Sequence, residues 1–350
     1  MRSALKRNWK WLALCALAVL AVVWLARLLP RSHGFDWRAF GATLAGLHWW
    51  WLAAACGAVF AGYLGRALRW RVLMRPVKPH PNLWNLLSAT VIGFSAITVL
   101  GRPGELVRPY LIANKENVPA SSQLAALLLE RIYDVLTVLA IFGFALSHVR
   151  RSDAALGPAL TWVFATGGWL VWTLSILVLG LLGVFRHFSA GMRQRLLRLA
   201  TALPDRHLQV AGRWITAFAQ GVESTRSDRA LLLVVAYTIF EWATIAVTLF
   251  CVLRAFGGVV HFGWIDVLIF LGFLSFGTVV QIPGIGGGMQ VVAVVVLTQL
   301  FRLPLEISTS VALVLWIISF VVVVPVGVIL ALHEGVRWRT LKQLEPEATA

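Results

Sequence analysis

Residues 93–115 read GFSAITVLGRPGELVRPYLIANK, and how this stretch is read decides the fold. It opens apolar, as a membrane span does. Within ten residues it meets Gly101, Pro103 and Gly104, and then a polar cluster of Arg102, Glu105, Arg108 and Tyr110. Glycine and proline weaken or break a helix. Broken backbone at membrane depth survives only where protein or a wet cavity satisfies its polar groups. The stretch therefore predicts a re-entrant hairpin lining a polar site.

Residues 272–287, GFLSFGTVVQIPGIGG, echo it. At an offset of 180 residues Ser95, Thr98, Val99, Pro103 and Gly104 recur as Ser275, Thr278, Val279, Pro283 and Gly284. Paired hydrophobic segments interrupted by glycine and proline, one in each half of a chain, point to a transporter-like binding site. Pro283, Gly284, Gly286, Gly287 and Gly288 are expected to form the second turn, where backbone can approach another helix or a substrate closely.

Working outward, 59% of the 350 residues are hydrophobic and 13% are charged. Soluble domains carry about 25% charged residues. Several apolar runs reach the roughly 20 residues needed to cross a bilayer, so the chain reads as a polytopic all-α membrane protein. The net charge of +16 sits mostly between those runs. That placement suits orientation in an anionic membrane and argues against nucleic acid as a partner. Cys15, Cys56 and Cys251 lie inside apolar runs, and the eight histidines are scattered, so neither disulfides nor a metal are implied. No nucleotide-binding loop is present, and no cofactor is expected.

Full spans are expected at about 10–29, 49–72, 121–148, 158–184, 230–256 and 307–333, with interrupted segments at 84–112 and 264–300. Arg2, Lys6, Arg7 and Lys10 place the N-terminus in the cytoplasm. If 84–112 returns to the side it left, the loop 186–229 is also cytoplasmic. That loop has eight arginines against three acidic residues, so re-entry satisfies the positive-inside rule and a full crossing violates it. Arg150 and Arg151 fall on the outer side in this scheme. The second hairpin then enters from the opposite face, and the C-terminus is cytoplasmic. The halves 49–148 and 230–333 thus form an inverted repeat within a single membrane domain. Apolar residues spaced among the arginines of 186–229 predict two amphipathic surface helices. Trp49, Trp50 and Trp51 read as an interfacial belt.

A charge at membrane depth costs about 2.5–3.5 kcal/mol on insertion scales. Glu130, Arg131 and Asp134 lie about three turns into one span. Glu130 and Asp134 share a helix face, and Arg131 reaches Asp134 at i, i+3. Two carboxylates against one arginine leave a negative surplus, which calls for Arg102, Arg108 or a proton. Glu241, mid-span, is either a protonated packing group or a cavity group paired with a hairpin arginine. Arg66 and Arg69 near one span end can snorkel, Arg66 less readily because it lies deeper. Arg102 and Arg108, beside broken backbone at Gly101 and Gly104, suit phosphate through their planar forks. Salt bridges to Glu105, Glu130 or Asp134 are their other use.

The runs GRPGELVRPYLIANK, ERIYD at 130–134 and PGIGGGMQ at 283–290 resemble the lysylphosphatidylglycerol synthase transmembrane (flippase-like) family. The resemblance covers roughly 10–333. It implies a membrane domain that translocates an anionic or modified phospholipid, or serves glycolipid, polyprenyl-linked sugar or hopanoid pathways. It carries over onto Arg102, Gly104, Glu105, Arg108, Glu130, Arg131, Asp134, Pro283 and Gly284. Gln290 stands where the family commonly has glutamate, which counts against proton coupling there. After Leu332 about 18 residues remain, too few to fold an aminoacyl-transferase domain.

Three functions follow. A flippase of the bacterial-type plasma membrane holds a lipid headgroup with Arg102, Glu105, Arg108, Tyr110, Arg66 and Arg131, beside a charge network of Glu130, Asp134 and Glu241. A non-transporting scaffold docks a glycosyltransferase or lipid-modifying enzyme through 186–229. An enzyme using Glu130 and Asp134 ranks last, because no nucleophile or metal cluster is evident.

Overall fold

Asp36 starts the first described helix, α1 (Trp37–Ala45), by accepting hydrogen bonds from the Arg38 and Ala39 amides. A computed structural model describes residues 34–148, 167, 169, 171, 173–177, 228–257, 260, 262–278, 281–282 and 286–335. The expected spans at 10–29 and most of 158–184, the 186–229 helices, Pro283 and Gly284 lie outside the described residues. The side chain of Arg102 does too.

The next helix, α2 (Trp49–Met74), has 26 residues. At 1.5 Å per residue that is about 39 Å, enough to cross a bilayer core. The chain then makes the first hairpin. Its outgoing arm is α3 (Leu83–Leu100), started by Asn82, whose side chain accepts from the Trp84 amide. Gly101 ends the arm at φ 72°, a left-handed conformation that suits glycine. A 3₁₀ turn with Pro103 in its first turn covers Arg102–Leu106. The return arm is α4 (Val107–Glu116).

Glycines let the arms close. A Cβ on Gly93 would lie 2.6 Å from Arg108 Cβ, and one on Gly104 would lie 2.5 Å from the Ala96 carbonyl. At the open end Glu116 takes hydrogen bonds from Asn85 Nδ2 (2.7 Å) and the Asn82 amide, and pairs with Lys78 Nζ (2.7 Å). Lys115 donates to Ser88 and pairs with Glu334. Residues 83–116 thus form a helical hairpin.

The first hairpin is followed by α5 (Ala120–His148), 29 residues long, which ends the first half. Residues 228–333 again run from a long helix into a hairpin and then a further long helical stretch. The second half starts with α6 (Asp228–Ala255) and continues into a hairpin of α7 (Trp264–Gly277) and α8 (Gly288–Gln299). At the tip, β1 (Gln281–Ile282) and β2 (Gly286–Gly287) pair antiparallel, a small departure from an all-α chain. Gly287 sits at φ 135°, and a Cβ on Gly277 would lie 2.7 Å from the Gly288 carbonyl. Gln290 reaches back to accept from the Gly287 amide (2.7 Å) and so caps α8. α9 (Leu305–Trp316) and α10 (Val323–His333) complete the half, joined by a π turn at Ile317–Val321.

That π turn has a cause in the sequence. Pro325 has no N–H to give the Val321 carbonyl, and its ring crowds that carbonyl. The ladder slips by one residue, a known way of relieving strain within a helix. Hydroxyls from α3 take up carbonyls beside it. Thr98 Oγ1 donates to Phe320 O (3.3 Å), and Ser95 Oγ donates to Val323 O (3.1 Å).

α2 and α6 run antiparallel: His48 donates to the Ala255 carbonyl, Trp51 meets Phe250, Gly62 meets Thr244, and Gly65 meets Phe240. α5 lies against α7 through Phe142, Phe273 and Phe276, while α10 lies against α3 where Gly327 abuts Ser95. The first hairpin opens beside the C-terminal ends of α2 and α10. The second opens beside the N-terminal end of α2, where Phe250 stacks on Trp264 at 4.3 Å.

By length and composition α2, α3, α6 and the continuous helix Leu305–His333 are apolar enough to cross a membrane. α5 is as long, but carries Glu130, Arg131 and Asp134. What those charges touch defines the site.

Candidate functional site

Three helices and one hairpin arm bring their charged residues to one place. On α2, Tyr63, Arg66, Arg69 and Trp70 recur at helical spacing and share a face. On α5, Glu130 and Asp134 are four apart, and on α6 Thr238 and Glu241 are three apart. Arg108 comes from α4, immediately after the hairpin turn.

Arg69 is the hub. It is wholly buried. One amino group donates to Asp134 (2.7 Å) and to the Thr238 hydroxyl oxygen (3.1 Å); the other lies between Glu130 (3.1 Å) and Glu241 (2.9 Å). The snorkelling weighed for Arg69 is therefore corrected. Its partners lie on two other helices and draw it inward, so no route to bulk water is needed. Arg66 Nε pairs with Glu241 at 2.8 Å, its guanidinium 4.1 Å from the centre of the Phe94 ring. Glu241 is thus held by two arginines of the neighbouring helix.

Arg108 is fixed from three sides. Its Nη2 donates to Glu130 at 2.6 Å. Its guanidinium stacks on Trp70 at 4.0 Å, and that indole is held in turn by an N–H donated to Gln123 at 2.8 Å. Its Cβ is wedged against Gly93. Arg131 is held loosely, at 3.4 Å from Glu130 and 3.7 Å from Asp134. Glu105 lies on the 3₁₀ turn, Arg102–Leu106, just before the arm that carries Arg108.

The cluster therefore joins four guanidinium groups, Arg66, Arg69, Arg108 and Arg131, to three carboxylates, Glu130, Asp134 and Glu241. It is graded in exposure. The Arg69, Arg108 and Glu130 side chains are at most 4% exposed, while Asp134 reaches 14%, Arg66 17% and Arg131 43%. Donors are left over: Arg108 Nη1, Arg131 Nε and Arg69 Nε are buried without a hydrogen-bond partner. Unsatisfied donors on paired arginines can take a further acceptor, and an anionic one most strongly.

The structure brings Arg66, Arg108, Arg131, Glu130, Asp134 and Glu241 together. Tyr110 is half-buried, and among the described residues no hydrogen bond joins it to the cluster. Gly101, Pro103 and Gly104 shape the first turn; Gly286, Gly287 and Gln290 belong to the other hairpin. Arg69, Trp70 and Thr238 also belong to the cluster, although the sequence did not assign them to it. The available signal was spacing: Arg69 follows Arg66 by three residues and so shares its face.

A polytopic helical membrane protein with two hairpins and a buried arginine–carboxylate cluster is the class these observations define. A sequence profile of the lysylphosphatidylglycerol synthase TM region matches residues 11–327, and the chain belongs to that family. No curated protein matches the chain, and no solved structure matches it.

Proposed function

We propose that the protein moves a lipid with an anionic, phosphate-bearing headgroup between membrane leaflets. In this reading Arg108 and Arg102 hold the phosphate within the polar cluster while the acyl chains stay in lipid. The observation that carries it is Arg108: rigidly placed beside the hairpin turn, buried, and with one amino group lacking an acceptor. Membership of a family of lipid-synthase membrane regions supports the lipid as cargo.

The two hairpins enter the membrane from opposite faces as halves of an inverted repeat, and their tips meet near mid-depth. Antiparallel packing of α2 on α6 supports this arrangement. The arginine-rich 186–229 loop and the basic N-terminus face the cytoplasm of a bacterial-type plasma membrane, as does the C-terminus.

The test is leaflet exchange of fluorescent lipids in liposomes reconstituted with the purified protein, over a panel of headgroups. Exchange above that of protein-free liposomes is expected for phosphate-bearing anionic lipids. No exchange for any of them would refute the reading.

A further inference from the structure

Arg131 stands on an outward stripe of α5. Leu128, three residues before it, is 46% exposed, and Val135, four residues after, is 38% exposed. A guanidinium between two exposed apolar side chains part-way along a spanning helix is costly unless something else uses it. Its own ion pairs are long, and its Nε has no acceptor. Directly behind it lies Glu130, whose two oxygens are divided between Arg108 on one side and Arg69 with Arg131 on the other.

Only one of these groups is free to yield. Arg108 is pinned by Trp70 and Gly93, so its guanidinium stays in place. Glu130 keeps Arg69 as a partner if it releases Arg108. With Glu130 turned to Arg69, Arg108 offers both amino groups, and Arg131 faces it from the lipid side. Among the described residues the groups joined by these ion pairs are four arginines and three carboxylates, one negative charge short of balance. One charge fits a phosphodiester rather than a dianionic phosphomonoester.

We infer that Glu130 is an internal stand-in for the substrate: a lipid phosphodiester reaching Arg131 sideways from the bilayer displaces Glu130 from Arg108 and is held between Arg108 and Arg131. This rests on the translocation reading for its cargo and adds the charge of the headgroup, the direction of access and the group that gives way. Glu130 acts as a positioning residue and a competitor, and it never touches the bound phosphate.

The test is calorimetric titration of the detergent-solubilised full chain with dihexanoyl-phosphatidylglycerol and, separately, inorganic phosphate. Glu130→Gln is expected to bind the short-chain lipid about tenfold tighter than wild type, because the competitor has lost its charge. Arg131→Gln should bind it about tenfold more weakly, and Arg108→Gln not measurably. A purely structural role for Glu130 predicts the reverse sign, so unchanged or weaker binding by Glu130→Gln overturns the inference. If that variant does not fold, Glu130→Asp, one methylene shorter, is read by the same criterion. Inorganic phosphate binding as tightly as the lipid, or no binding by wild type, also overturns it. Wild-type protein that moves no lipid while Glu130→Gln still binds tighter would refute translocation and leave the stand-in intact.

Discussion

The two hairpins share a plan and differ in what they carry. Each is two helices folded back through a glycine-bearing turn, and each lies against a long helix of the other half. The first holds Arg102, Glu105, Arg108, Lys115 and Glu116 between residues 83 and 116, whereas the second holds only Asp266 between 264 and 299. That one acid is used locally, accepting from the Gly263 amide at 2.9 Å to start α7. Position 288, at the 180-residue offset from Arg108, is a glycine whose carbonyl packs on Gly277. One hairpin brings charge inward, and the other brings backbone close to backbone. Similar architecture therefore does not imply two equivalent sites.

The largest expected effect lies where the charged hairpin meets the long helices. Arg69→Ala leaves Glu130, Asp134 and Glu241 without their shared partner. Breaking a buried ion pair costs about 3–5 kcal/mol, so the variant should be lost from the folded fraction on size-exclusion after solubilisation. A wild-type elution profile would show that the hub is dispensable.

Overpacking comes next and compares the hairpins directly. Gly104→Leu forces a side chain into the Ala96 backbone, and a misfit of this kind costs about 1–3 kcal/mol or more. Gly277→Leu meets the Gly288 backbone similarly. Both should lower the thermal midpoint, but only Gly104→Leu should also disturb the arginine cluster and abolish lipid binding.

Acid should weaken the charged hairpin selectively. Burial alone pushes the Glu116 carboxyl up, but Lys78, Asn85 and the Asn82 amide outweigh it and hold the group below the usual carboxylate range. A carboxylate depressed on folding stabilises above its unfolded pKa of about 4.3 and loses that contribution as pH falls through the folded value. Thermal melts between pH 6 and 3 should therefore decline in wild type, and decline less steeply in Glu116→Gln. Equal slopes would remove Glu116 from the account.

The smallest effect is at the π turn. Thr98→Val and Ser95→Ala each remove a hydroxyl that bonds a carbonyl of the other half. A net loss of about 0.5–1.5 kcal/mol each is expected in denaturation assays. The echoing residues Ser275 and Thr278 bond only within their own helix turn among the described residues, to Leu271 and Ser275. Removing those hydroxyls should cost less.

These residues also show what the sequence made legible. Gly101, Pro103 and Gly104 announced the first turn because helix breakage is a local property. The family followed from the motifs that carry it. Charges stranded at Glu130, Asp134 and Glu241 signalled a cluster, since a membrane tolerates none without partners. The depth of Arg69 is not legible from its proximity to a span end, because it depends on partners from two other helices. The π turn is hidden for a different reason: Pro325 is visible, but whether a helix kinks, slips or ends there depends on its neighbours, here the Ser95 and Thr98 hydroxyls that bond the Val323 and Phe320 carbonyls.

The most direct measurement compares the hairpins in one assay: leaflet exchange of a fluorescent anionic phospholipid by Arg108→Gln and by Asp266→Asn, each reconstituted at wild-type density. The account predicts that Arg108→Gln falls to the rate of protein-free liposomes while Asp266→Asn stays within about twofold of wild type, equivalent to about 0.4 kcal/mol. Equal loss in both, or full activity in Arg108→Gln, would contradict it.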